Sequence, residues 1–353
     1  MTMKKIIPLI LCVILIASIL PFSLVACNDS DKIVYLLNWG DYLDKEVKDE
    51  FRERTGITIR ETIVSSNEEM LERLEREDCK FDLCIPSDYA VERLIKGGWL
   101  TELNFDNIPN FKNIDEYYLD LPYDRGNRYS IPYFWGVMGI LYNKTMVDEA
   151  DLGSWDVLWN EKYEGKIYMY NNIRDTLAVG LGYCGYSINS TDPDELDEAA
   201  DALIAQKPLV KGWGTDDNKD NMIEGLGVLA MLYNGDAMWC IDPEDGNPDL
   251  GFFFPKGSNF FIDNFTIPKN AEHKKNAEKF INYLLEPEVA VKNIETVGYS
   301  TPNKEALALL GEEWTSNPIF NIPKEQLDTL EIQRDIGDAI ELYEREWTRI
   351  NIR

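Results

Sequence analysis

At 353 residues the chain exceeds what one hydrophobic core comfortably supports, and two lobes are expected. Sixty-three acidic against 35 basic residues give a net charge of −28, a field that repels nucleic acid and draws in cations, although an acidic surface also serves solubility alone. One histidine, His273, and no Cys-x-x-Cys spacing exclude a His-rich zinc site and leave a Ser-His-Asp triad a single candidate base.

At the amino terminus Lys4 and Lys5 precede an apolar run from Ile6 to Leu20 and the sequence Leu24-Val25-Ala26-Cys27. This is the order of a charged region, a hydrophobic region and a cleavage site. The run falls short of the ~20 apolar residues of a membrane span. Leu24 to Cys27 resembles a bacterial lipobox, which implies a signal peptide over 1–26, acylation of Cys27 and a tether over 27–30. Each buried acyl methylene would contribute ~0.8 kcal/mol of membrane attachment. Cleavage would remove Lys4 and Lys5 and deepen the negative charge by two.

Ile33 to Leu37 reads as a buried strand, Tyr42 to Thr55 as a helix stopped at Gly56, and Ile57 to Ile63 as a second strand. A helix over Asn67 to Arg76 and a strand over Phe81 to Ile85, ended by Pro86, complete the alternation of a parallel sheet with crossovers. Beyond residue 137, strands are expected near Met138 to Tyr142, Lys166 to Tyr170, Val228 to Leu232 or Ala237 to Ile241, and Gly251 to Pro255. Thr191 to Ala205 opens with a capping side chain and a proline in its first turn. Gln333 to Arg353 is an expected amphipathic helix with Ile336, Ile340, Tyr343 and Trp347 on one face.

His273, within Lys269-Asn-Ala-Glu-His-Lys-Lys-Asn276, reads as a solvated surface residue. Gly180-Leu-Gly182-Tyr-Cys-Gly185 has glycine-fingerprint spacing but ends a helical run, where the dinucleotide fingerprint would have to open a helix. Asp216-Asp-Asn218-Lys-Asp220 begins like a calcium loop, yet Asn221 and Gly227 stand where glycine and a bidentate glutamate belong. Cys79, Cys84, Cys184 and Cys240 are buried thiols or supply one disulfide, with Cys184 to Cys240 the better pair. Aromatic residues pair with acids or amides at the ends of expected strands, as in Asn38-Trp39-Gly-Asp41-Tyr42, Pro86-Ser87-Asp88-Tyr89, Asn171-Asn172-Ile-Arg-Asp175, Tyr233-Asn234-Gly-Asp236 and Phe260-Phe261-Ile-Asp263. Ligands sit beyond the carboxyl ends of strands in open α/β sheets, so these places can converge on one cleft; rings as core and acids as helix caps is the bland alternative.

The order and spacing of Leu37 to Tyr42, Asp82 to Ser87, Ser130 to Gly136, Ser154-Trp155 through Trp159, Asn234-Gly235-Asp236, Gly298 to Asn303 and Gln333 to Gly337 resemble the spermidine/putrescine-binding proteins of ABC importers. The resemblance covers nearly the whole chain after the signal peptide. It implies a two-lobed α/β fold of the type II periplasmic-binding class, with a mixed sheet flanked by helices in each lobe and hinge strands between them. The implied lobes are 31–136 plus 262–307 and 137–261 plus 308–353, with hinge strands near Trp135 to Val137 and Phe261 to Ile262 and a third crossing between Glu305 and Glu312. The implied ligand shell is Trp39, Tyr42, Ser87, Tyr89, Asn172, Asp175, Tyr233, Phe261, Asp263, Tyr299 and Gln333. In it Asp263 grips one ammonium, Asp175 meets a second from the other lobe, and Trp39, Tyr233, Phe261 and Tyr299 line the methylene path. Such a shell suits a polyamine, whose ammoniums alternate with methylenes, because aromatic faces cover the latter and attract the former by ~0.5 to 2 kcal/mol.

The chain departs from the family pattern in carrying Asn172, Tyr233 and Phe261 in place of an acid and tryptophans, Gly40 for a small hydroxyl residue, and Asp175 for glutamate. These departures make putrescine as credible a ligand as spermidine. The implied mechanism is capture without chemistry, with no cofactor, no metal and no catalytic residue: a monomer at the outer face of the cell membrane closes on its ligand and docks on a permease. The same fold holding another small cation or an amino-acid-like solute, an acid-pair glycosidase, and an adhesion or sensor module are the rival readings.

Overall fold

The computed structural model describes residues 31–352, so the expected signal peptide, the lipobox-like residues with Cys27, the expected tether to residue 30 and the terminal Arg353 lie outside the described residues. The chain divides into a unit of residues 1–32 and one of residues 33–353, and the fold is that of the second.

Strand β1 (Ile33–Trp39) pairs in parallel with β2 (Thr58–Val64) and β3 (Leu83–Cys84). Between them run helices α1 (Lys45–Thr55) and α2 (Asn67–Leu74), and α3 (Asp88–Lys96) follows β3. Helix α1 starts at Lys45 and not at Tyr42, because the Asp44 carboxylate accepts the Val47 N–H as N-cap, an interaction worth about 1 kcal/mol. That boundary leaves Tyr42 in the loop, free to turn its hydroxyl inward. Gly56 closes the helix at φ +72°, a conformation that a Cβ would oppose.

Strand β4 (Ser130–Asn143) is buried along nearly its whole length and far exceeds the expected Met138 to Tyr142 segment. Pro132 and Gly136 disfavour a strand locally, but pairing overrides them. After β5 (Ile167–Tyr170) come α4 (Ile173–Cys184), α5 (Pro193–Gln206), β6 (Val210–Gly214), α6 (Asp217–Ile223), β7 (Leu229–Tyr233), α7 (Asn234–Ile241), β8 (Leu250–Phe253) and β9 (Phe260–Thr266). Of the two alternatives in this region the strand is Leu229–Tyr233, and Ala237 to Ile241 is helical. The order across the sheet is β2-β1-β3-β9-β4-β7-β5-β6, with β8 against β4. Antiparallel β4 and β9 are thus the join between two parallel-rich halves, in register Trp135 to Ile262, Gly136 to Phe261 and Val137 to Phe260.

The buried apolar residues form four clusters, and the two largest are separate cores, one for each half of the mixed two-lobed arrangement expected from the sequence. One gathers Val34, Leu36, Phe51, Phe265 and Phe280; the other Ile140, Leu141, Leu177, Leu203 and Leu229, closed over by Tyr343 and Ile350. Those last two ride on α13 (Ile340–Ile352), after α8 (Lys274–Leu284), α9 (Pro287–Val297), α10 (Lys304–Leu309), α11 (Glu312–Thr315) and α12 (Lys324–Leu327). The expected helix from Gln333 therefore starts seven residues late. Gly337 at φ +55° interrupts it, and Arg334 is tied by paired bonds of 2.9 and 2.8 Å to Glu92. Ile336, Ile340, Tyr343 and Trp347 nonetheless all pack on the same core.

One further expectation is corrected, and one pair of alternatives is decided in favour of free thiols. His273 is half-buried: its backbone N–H and Nδ1 meet the Asp82 carboxylate at 2.8 and 3.1 Å, and Asp82 also accepts the Tyr35 N–H, fastening the start of α8 to β1. The four cysteines are free thiols, Cys84 and Cys240 buried, so no Cys184 to Cys240 disulfide forms. Among the described residues no helix is long and apolar enough to cross a membrane.

Candidate ligand-binding site

A cavity of about 680 Å³ lies between the two cores. Every one of the eleven residues named from the sequence lines it. Deep in it lies Asp263 on β9, 4% exposed, whose two oxygens accept the Tyr42 hydroxyl at 2.5 Å and the Ser87 hydroxyl at 2.6 Å. Ser87 is held in turn by the Asn67 side-chain amide, which accepts its N–H and donates to its hydroxyl. Next to it, fully buried Asp88 accepts the Tyr89 and Ile262 N–H groups at 2.7 and 3.1 Å and so clamps the start of α3 onto β9. Burial pushes the Asp263 carboxyl up to about 6, the two hydroxyl bonds oppose this, and the charge of Asp175 adds to it.

Asp175 stands in the first turn of α4, where Asn172 caps the helix by accepting its N–H at 2.9 Å and donates to its carboxylate at 2.7 Å. The same carboxylate accepts the Tyr233 hydroxyl and, at 3.5 Å, the Gln333 amide. Burial again raises this acid above the ordinary carboxylate range against those bonds, with the nearby Arg174 charge also opposing. Asn172 is therefore both cap and cavity wall, so the two readings of these motifs coexist at one residue.

Between the acids runs an aromatic wall. Tyr233 packs on Phe261 with ring centroids 5.0 Å apart, Phe261 on Tyr299 at 6.0 Å, and Tyr299 on Tyr42 at 5.3 Å, all near-perpendicular. Tyr233 touches both cores. Trp39 is fixed at the β1 terminus by its indole N–H, which donates to the Ile85 carbonyl at 2.8 Å. Tyr89 donates to Glu68 at 2.9 Å, and the Arg174 guanidinium lies 4.6 Å over its ring.

The structure adds Glu68, Tyr170, Lys219 and Asp236 to the wall. Asp236 stood in a motif already singled out, Tyr233-Asn234-Gly-Asp236. Glu68 and Lys219 carried no such signal, since charges on short helices read as solvated faces. Among the described residues neither Asp175 nor Asp263 forms an ion pair with a basic side chain, and no cluster of His, Cys, Asp and Glu is arranged to hold a metal. The arrangement is suited to a ligand that brings two positive charges separated by an apolar stretch.

Residues 46–322 match the family described as bacterial extracellular solute-binding protein. The spermidine/putrescine-binding periplasmic protein of Escherichia coli is 34% identical over 91% of this chain and 92% of its own length. The crystal structure of the spermidine/putrescine ABC transporter substrate-binding protein PotD of Streptococcus pneumoniae superposes with a TM-score of 0.77 at 35% identity, covering 91% of this chain and 99% of that one. The Tp0655 lipoprotein of Treponema pallidum does so with a TM-score of 0.82 at 26% identity, over 91% of this chain and 100% of that one.

Proposed function

Because the chain belongs to the bacterial extracellular solute-binding proteins, we propose that it captures a polyamine, spermidine or putrescine, between its lobes and delivers it to an ABC permease, without catalysing a reaction. The observation that carries this reading is the pair Asp175 and Asp263, two buried carboxylates met by hydroxyl and amide donors and joined by rings. A buried carboxylate without a cationic partner is expensive, and an ammonium supplied by the ligand removes that cost. The wall of Tyr42, Tyr299, Phe261 and Tyr233 then covers the methylenes. Asp263 takes one ammonium, Asp175 another, and Trp39, Ser87, Tyr89, Asn172 and Gln333 complete the shell.

Closure is proposed to occur about β4 and β9, dividing the chain into 31–136 plus 262–307 and 137–261 plus 308–353. The antiparallel pairing at Gly136 and Phe261 supports this, since it is there that the chain passes between the two cores. Lipid attachment through Cys27 would keep the monomeric binder at the outer face of the membrane, beside its permease; the lipobox-like residues support it.

Isothermal titration of the purified chain with putrescine, spermidine and spermine tests the reading. One-to-one binding of at least one of them, lost in Asp263→Ala, is the expected result. An absence of heat with all three overturns the polyamine assignment and leaves the family and fold intact.

A further inference from the structure

We propose that Lys219 is a built-in ammonium that occupies the third carboxylate subsite of the cavity, at Asp236, and thereby sets the ligand preference toward a diamine over a triamine. This rests on the polyamine reading above.

Three acids abut the aromatic wall. Asp175 meets Tyr233, Asp263 meets Tyr42, and Asp236 accepts the Tyr299 hydroxyl at 3.0 Å. Tyr299 packs on both Tyr42 and Phe261, so the three carboxylates lie along one continuous apolar surface. They differ in what neutralises them. Asp175 and Asp263 are met by hydroxyls and amides, whereas Asp236 is met by the Lys219 ammonium at 3.4 Å. The Lys219 side chain is only 18% exposed, and its ammonium also lies 3.8 Å from Asp216 and 3.9 Å from Asp41 at the end of β1. Burial pulls the lysine down, but the carboxylates of Asp236, Asp216 and Asp41 outweigh it and keep the side chain charged.

Along the row of rings from Tyr233 to Tyr42 the cavity thus leaves Asp175 and Asp263 for external ammoniums and fills the position at Asp236 itself, while Glu68 lies off that row, bound to Tyr89. A diamine matches the two. A triamine placing its third ammonium along the same wall meets a protein cation in its path, where a low local dielectric strengthens the repulsion. Negative selection of this kind discriminates ligands that share all their attractive contacts.

The test is titration of the full chain and of Lys219→Gln, Lys219→Met and Lys219→Arg with putrescine and spermidine, beside thermal melting of each. The neutral variants are expected to improve spermidine affinity relative to putrescine by at least tenfold, and Lys219→Arg to keep the parent ratio. Adding Asp236→Asn to Lys219→Gln should erase the gain. An unchanged ratio in both neutral variants with putrescine binding intact overturns the proposal and leaves a structural ion pair between α6 and α7. A ratio shifted equally by Lys219→Arg overturns it in favour of bulk. Failure of the parent chain to bind either amine is a different result, sinking the polyamine reading beneath it.

Discussion

Asp263→Asn is expected to weaken polyamine binding by at least ~100-fold while making the ligand-free protein more stable at pH 7. The two effects share one cause. The carboxyl is pushed from 3.8 to about 6 by burial. Between those values the folded chain holds a proton that the unfolded chain has released, so the stability contributed by this group is full below about pH 4 and is lost as the pH rises through 6. At pH 7 the ionised form costs about 3 kcal/mol, an upper figure from roughly two pK units at 1.36 kcal/mol each. Asparagine has nearly the same shape and no charge, and of the Tyr42 and Ser87 hydroxyls one can go on donating to its carbonyl oxygen while the other turns to accept from its NH2 group. The ligand reverses the balance, because its ammonium offsets the buried charge and removing one partner of a buried pair costs about 3 to 5 kcal/mol. Urea unfolding of parent and variant at pH 7 and pH 4, each without ligand, measures the stability side. A gain at pH 7 that disappears at pH 4 is the expected pattern. Equal destabilisation at both values would mean that Asp263 holds the fold through its hydrogen bonds, with no stored electrostatic cost.

Much of the scaffold is legible in the sequence where local and tertiary preferences agree. Strands β1, β2 and β5 fall within two residues of their apolar runs, because each run is bounded by turn-forming or capping residues that stop it physically. Strand β4 is not legible, since Pro132 and Gly136 interrupt the pattern and only the β9 ladder holds them extended. The late start of α13 has the same character: the spacing of Ile336, Ile340 and Tyr343 is helical, but the preceding segment is held by Glu92 and Asn189 from elsewhere in the chain. For the site, periodicity could locate the acid and aromatic pairs at strand ends, yet choosing among them needed the family resemblance. Lys219 escaped both. A lysine among Asp216, Asp217 and Asp220 reads as a solvated acidic face, and only the fold brings Asp236 and Asp41 to it.

Gly235→Ala is expected to destabilise the protein by about 1 to 2 kcal/mol and to weaken ligand binding with it, against what helix propensity alone dictates. Gly235 lies in the first turn of α7, where exchanging glycine for alanine gains up to about 1 kcal/mol in an unhindered helix. Here the added methyl carbon would stand 2.4 Å from Cγ and Cδ2 of Tyr299 and 2.6 Å from Cδ1. Those atoms are at the root of the ring, so no rotation of a flexible tip relieves the clash, and overpacking of this kind costs about 1 to 3 kcal/mol. Overpacking wins. The relief available is for Tyr299 to swing away from the helix, which breaks its bond to Asp236 and its edge contact with Tyr42, and so disturbs the wall that separates Asp263 from Asp175. Gly40→Ala is the internal control, since its methyl would lie 3.3 Å from the end of the exposed Asp216 side chain, which can move. Its stability should stay within about 0.5 kcal/mol of the parent. Denaturation and titration of both variants decide the matter. If Gly235→Ala melts at or above the parent, Tyr299 has room that the packing denies it, and the geometry of the aromatic wall is set by something other than its contact with α7.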